Sequence, residues 1–82
     1  MKARRGFLEV LADFLSAVLA DDVPNHVIQR ANLSYGFYLE LRDYCLENGY
    51  ISTATTGQRG HIYLTAVGRY VLNVLRGIPY RR

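Results

Sequence analysis

Between Phe7 and Leu19 the residues Phe7, Leu8, Leu11, Phe14, Leu15 and Val18 recur at the three, four and seven spacing of one helical face, with Glu9, Asp13 and Ser16 opposite. A first helix over about residues 5–20 is expected. Val10, Ala17 and Leu19 widen its apolar stripe beyond one core contact, which suggests a second face packed on something else. Asp21, Asp22 and Pro24 end that helix and start another, because proline suits a first helical turn where its missing N–H is not needed. The second helix is short, about residues 24–31. The tight Asn32-Leu33 connection leads to Ser34, a good N-cap for a third helix through Leu46, and Asn48-Gly49 closes it with a residue suited to left-handed geometry.

The period then changes from helical to alternating. Tyr50-Ile51-Ser52-Thr53-Ala54 and His61-Ile62-Tyr63-Leu64 are β-rich stretches around the polar, glycine-bearing loop from Thr55 to Gly60, which predicts a hairpin over about residues 50–64. Thr65 caps a last helix, about residues 65–77, where Val67, Tyr70, Val71, Val74 and Leu75 repeat at helical spacing until Gly77 and Pro79 stop it. The order is α-α-α-β-β-α. It predicts an α+β fold, mainly α: a winged helix-turn-helix, one domain over residues 1–82, with the helix-turn-helix at about 24–48 and the hairpin as the wing.

A chain of 82 residues builds one small core and has no room for a second catalytic or cofactor domain. Cys45 is its single cysteine, so no internal disulfide forms and a reducing compartment is expected. His26 and His61 lie far apart without metal-ligand spacing, so no metal and no cofactor are expected. Lys2, Arg4 and Arg5 before an apolar stretch imitate a secretory signal, but Glu9 and Asp13 interrupt it, and no apolar run reaches membrane-spanning length. A cytoplasmic protein is expected. With no paired carboxylates in an apolar setting, no nucleophile motif and no phosphate-cradling glycine loop, an enzyme is not expected.

The net charge of +3 conceals an asymmetry: residues 1–47 sum to −2, whereas residues 48–82 contain no acid and sum to +5. An acid-free basic segment points to a polyanion partner. Within the helix-turn-helix, Ser34, Tyr35 and Gly36 form the first turn of the third helix, the part that reaches base edges in such motifs. Tyr35 either offers its hydroxyl to a phosphate or its ring to a thymine methyl, or simply staples the turn. Thr55, Thr56, Gln58, Arg59 and His61 give the wing a set of phosphate donors, and Arg30, Asn32 and Arg42 are further candidates. Lys2, Arg4, Arg5, Arg81 and Arg82 would serve as basic arms. Phe37, Tyr38, Leu41, Tyr44 and Cys45 are assigned to the core side of the third helix. Its outward side carries Glu40, Asp43 and Glu47, which repel phosphate, and Leu39 and Leu46 form an apolar strip.

Three segments also carry a family likeness. Val27 to Tyr35, with its Ala-Asn-Leu-Ser-Tyr turn, then Asn48-Gly49-Tyr50-Ile51, then Tyr63-Leu64-Thr65-Ala66-Val67-Gly68 resemble the archaeal, or archaeal-virus, winged helix-turn-helix transcription regulators, with the distances between the segments preserved. The resemblance implies a dimeric DNA-binding protein with its third helix in the major groove and its wing along the backbone. The subunit contact is then expected from Phe7, Val10, Leu11 and Phe14 of the first helix and Leu72, Leu75 and Ile78 of the last, and the site would be a roughly palindromic duplex. Two alternatives stand beside that regulator: a winged-helix module that holds protein through Leu39 and Leu46 without binding DNA, and an architectural protein that coats DNA without sequence preference.

Overall fold

In the computed structural model, which describes residues 6–77, the expected element order is present. Helix α1 is Phe7–Ala20, α2 Pro24–Ala31 and α3 Tyr35–Glu47; strands β1 (Ile51–Thr56) and β2 (Arg59–Leu64) follow, then helix α4 (Ala66–Gly77). The core gathers around α1, which contacts α2, α4 and β2. Phe14 and Leu15 are fully enclosed there, with Leu41, Ile62, Leu72, Val27 and Cys45 around them. Each large apolar side chain among them contributes roughly 1.5–3 kcal/mol by leaving water.

That central position corrects the expected face of α1. Val10 and Ala17 are buried with Leu11, Phe14, Leu15 and Val18, whereas Phe7, Leu8 and Leu19 lie on the surface. The stripe is broad because three elements of the same chain surround it. On α3 the correction runs the other way. Only Tyr38, Leu41 and Cys45 enter the core, while Phe37 and Tyr44 stay more than a third exposed and Leu39 is partly buried against the core. A single row of contacts holds this helix, led by the tilted pair of Phe14 and Tyr38 rings, 6.1 Å apart. Tyr44 instead meets Phe7 and Tyr50 edge to face, at 5.5 and 6.1 Å. Burial pushes the Cys45 thiol up to about 12, so it stays protonated and inert.

The helix ends follow their expected chemistry. Ser34 Oγ accepts the Phe37 amide, and Pro24 occupies the first turn of α2. At the end of α2 the chain turns through Asn32 at φ 57, where the Asn32 amide donates to Gln29 O and the Leu33 amide to Ile28 O. At the end of α3, Gly49 at φ 74 does the same: its amide donates to Leu46 O and that of Tyr50 to Cys45 O. Both are Schellman closures, which use a left-handed residue to satisfy the last carbonyls.

β1 and β2 pair antiparallel from Ile51 opposite Leu64 to Thr56 opposite Arg59. The loop is therefore two residues, Gly57 and Gln58, with Gly57 at φ 64, shorter than the expected six. Thr55, Thr56, Arg59 and Gly60 belong to the strands because the tight turn lets the ladder run to the tip. Only Ile51 and Ile62 of the hairpin are buried. β2 gains a further partner where the Ile62 amide donates to Asp22 O, between α1 and α2, at 3.0 Å.

The foot of the wing is closed by α4. Thr65 caps that helix by accepting the Gly68 amide on its hydroxyl at 2.9 Å. Gly68 packs so closely on Tyr50 that an added Cβ would overlap the carbonyl oxygen and stand 2.8 Å from its carbon. Gly68→Ala is therefore expected to destabilise the protein by about 2 kcal/mol or more, read from chemical denaturation. Gly36→Ala, at a helical position with open space around it, should instead add about 0.5–1 kcal/mol.

Candidate nucleic-acid interface

The first turn of α3 lies open on the surface of the described residues. Ser34 and Gly36 are exposed, and Tyr35 is 65% exposed, its ring 6.2 Å from that of Tyr38. The left-handed step at Asn32 and the capping step at Ser34 together set this turn outward. Asn32 thus has a backbone task in addition to its candidacy as a phosphate contact. Beyond the first turn the face of α3 becomes acidic: Glu40, Asp43 and Glu47 are exposed, and Arg42 donates to Asp43 Oδ1 through Nη2 at 3.1 Å and Nε at 3.3 Å.

The wing presents Thr55, Thr56, Gln58 and Arg59, all exposed. Arg59 makes no ion pair with the described residues. His61, expected from sequence as a donor beside them, sits lower on the hairpin and points elsewhere. Its Nδ1 is buried without a hydrogen bond, 3.2 Å from Asp22 Oδ2, and its ring stacks on Tyr63 at 6.2 Å. Arg30 is also drawn aside, its Nε 3.9 Å from Asp21 Oδ2. With Asp13, Ser16 and Arg76 it lines an open hollow of about 360 Å³ among α1, α2 and α4, and Arg76 donates to Ser16 Oγ at 2.6 Å. Three sequence candidates, Arg30, Arg42 and His61, each have an aspartate within reach: the pairs of Arg30 and Arg42 are exposed and weak, whereas His61 is largely covered.

In the sequence, Asp21 and Asp22 signal only the end of a helix; in the fold they hold partners. Asp21 accepts the Val23 amide at 3.1 Å and faces His26 Nδ1 at 2.8 Å. The Val23 amide first, then His26, hold its carboxyl below the ordinary carboxylate value against a small opposing effect of desolvation. The pairing of Asp22 with His61, far along the chain, has no sequence signal. Thr65 and Gly68 do have one, in the Leu-Thr-Ala-Val-Gly segment, but it does not identify their partners.

The expected subunit contact also changes. Val10, Leu11, Phe14, Leu72 and Leu75 are buried in this chain's own core, so no second subunit can use them. Phe7 is on the surface. Ile78, like Lys2, Arg4, Arg5, Arg81 and Arg82, lies outside the described residues. The apolar side chains left outside on α4 are Val67, Tyr70 and Val74, at helical spacing on the flank away from Leu72.

Three solved structures share this arrangement. Sso10a-2, a DNA-binding protein from Sulfolobus solfataricus, superposes with a TM-score of 0.79 at 20% identity, over 88% of this chain and 76% of that one. F-93 of SSV1 gives 0.74 at 15% identity, covering 92% and 89%. The protein folds as a winged helix. A mutant of MepR from a multidrug-resistant S. aureus clinical isolate extends the likeness, with a TM-score of 0.67 at 14% identity over 90% of this chain and 56% of that one. No family model and no curated protein sequence matches the chain. In this winged helix no described helix is long and apolar enough to cross a membrane.

The Asp21 contacts set an acid limit on stability. A carboxyl held below its ordinary value stabilises the fold above the unfolded-state value and loses that contribution as pH falls through the folded one. Thermal stability should therefore drop below about pH 4, and Asp21→Asn, weaker at neutral pH, should show a smaller drop when melting is followed across that window.

Proposed function

We propose that the protein is a dimeric regulator that binds double-stranded DNA, with the first turn of α3 at base edges in the major groove and the wing on the backbone. The supporting observation is the pairing of an exposed, capped first turn at Ser34, Tyr35 and Gly36 with a hairpin tip whose Arg59 meets no acid among the described residues. The DNA-binding character of Sso10a-2 agrees with it. Only the N-terminal end of α3 enters the groove, since Glu40, Asp43 and Glu47 would otherwise meet phosphates. Thr55, Thr56, Gln58 and Arg59 serve the backbone, with Asn32 beside the turn. Arg30 and Arg42 stay available through exposed ion pairs that a phosphate can displace, and His61, turned toward Asp22, is set aside.

The subunits meet through Val67, Tyr70 and Val74 of α4, with the partly buried Val71 beneath, rather than through the residues expected from sequence. A stripe of apolar side chains at helical spacing on the outside of a small protein is costly unless covered. A two-fold pair would place its recognition turns about 34 Å apart on a palindromic site. Tyr70→Glu should yield a folded monomer in sedimentation, whereas an unchanged mass would move the contact elsewhere.

A second reading, a module that holds protein without DNA, draws on the acidic flank of α3, on Arg42 paired with Asp43, and on exposed Leu46. Binding to random duplex at low salt separates the two, because any duplex-binding regulator retains electrostatic affinity there. Arg59→Ala is expected to weaken binding to all sequences and lower the salt slope by about one unit, and Tyr35→Ala to change the ranking among sequences. Absence of any duplex complex at low salt would favour the protein-binding module.

A further inference from the structure

We propose, resting on the duplex-binding reading above, that Thr65 is the positioning residue that sets the angle of the wing against the recognition turn of α3. Packing holds the hairpin only at its foot, where Ile51 and Ile62 are buried and Tyr50 and Leu64 partly so, while its tip is exposed; a two-stranded sheet is marginal alone and needs a further hold at its root. Its roots are the residues just before β1 and just after β2. Thr65 joins them: its amide donates to Tyr50 O at 3.0 Å and its hydroxyl donates to Gly49 O at 2.5 Å. The same hydroxyl accepts the Gly68 amide at 2.9 Å.

Gly49 and Tyr50 close α3, and Gly68 lies in the first turn of α4. One residue therefore ties the end of the recognition helix to both wing strands and to the helix behind them. Gly68, bare of a Cβ against the Tyr50 carbonyl, lets α4 come near enough for this. The bond from Ile62 to Asp22 O and the contacts of β2 with α1 and α2 hold the middle of the strand, and Thr65 holds its root. The leverage is large. Arg59 lies at the far end of β2 from Leu64, roughly 17 Å along the strand, so a rotation of about 10° at the root moves the tip by about 3 Å. A hydrogen bond to phosphate does not survive such a shift.

The test compares Thr65→Val, which keeps the branched shape and removes the hydroxyl, with Thr65→Ser, which restores it. Affinity is measured on a duplex selected by the wild-type protein and on a random duplex at the same salt, with a hydroxyl-radical footprint of the backbone under the wing. Thr65→Val is expected to lose roughly tenfold on the selected duplex, where the wing contact is fixed in place, to stay within about twofold on the random one, where the retained charge of Arg59 and not a fixed hydrogen bond supplies the affinity, and to lose the wing footprint, while Thr65→Ser recovers both losses. Equal loss on both duplexes without rescue by serine, or an intact footprint in Thr65→Val, overturns the assignment.

Two measurements on the protein without DNA stand apart from the duplex-binding reading, so its failure leaves them decisive. Residual dipolar couplings should show the wing rotated against α3 in Thr65→Val and restored in Thr65→Ser; an unrotated wing overturns the proposal. The Thr65 side chain of the wild-type protein should hold a single χ1 rotamer in three-bond NMR couplings, the one that brings its hydroxyl to Gly49 O and the Gly68 amide, which covers the case of a valine variant that does not fold. Averaging among rotamers would overturn the geometry.

Discussion

The foot of the wing is where α3 ends, both strands begin or end, and α4 starts, and the backbone there is held by one hydroxyl and one missing methyl group. Thr65 bridges Gly49 O and the Gly68 amide, and Gly68 leaves room for the Tyr50 carbonyl that accepts the Thr65 amide. The Tyr50 carbonyl, covered by Gly68, would be costly without a partner and takes the Thr65 amide, while the Thr65 hydroxyl adds a bond to the more exposed Gly49 carbonyl. The wing and the helix-turn-helix become one piece because their backbone groups satisfy one another at this point.

Around that junction the chain economises on core. α1 is wrapped by α2, α4 and β2, so most of its apolar face is used within the subunit. α3 is attached by one narrow row, Tyr38, Leu41 and Cys45, and its first turn projects outward. Held by its middle and far end, α3 leaves its N-terminal turn open. The same economy leaves apolar surface on the outside of α4, where Val67, Tyr70 and Val74 are not covered by the described residues.

Electrostatics divide the surface in a way that the net charge hides. Asp21, Asp22 and Asp43 each sit beside a basic or imidazole group that the sequence offers as a candidate phosphate contact. Among the groups considered for a polyanion, the unpaired basic character is concentrated at Arg59 on the wing tip, and the acids left over lie along α3. A duplex bound as proposed would be drawn to the wing and kept from lying along the whole of α3, and the two contacts would then need a fixed mutual angle.

Element order, helix ends and turn positions are legible along the chain because each depends on neighbours a few residues away: Ser34 caps a helix three residues on, Gly49 and Asn32 take left-handed geometry, and Pro24 starts a turn. The exposed candidates Ser34, Tyr35, Gly36 and Arg59 are legible for the same reason. Long-range pairing is not. Whether Val10 and Leu72 face a partner or their own core, whether Phe37 and Tyr44 are covered, and whether His61 serves the wing tip or Asp22 depend on which elements pack side by side. Hydrophobic periodicity identifies a face and says nothing of what covers it. The sequence by itself determined the winged-helix order and the outward turn with its wing; the tertiary structure alone decided which charges stay available and what holds the wing, because ion pairs and carbonyl acceptors act across space between residues far apart in the chain.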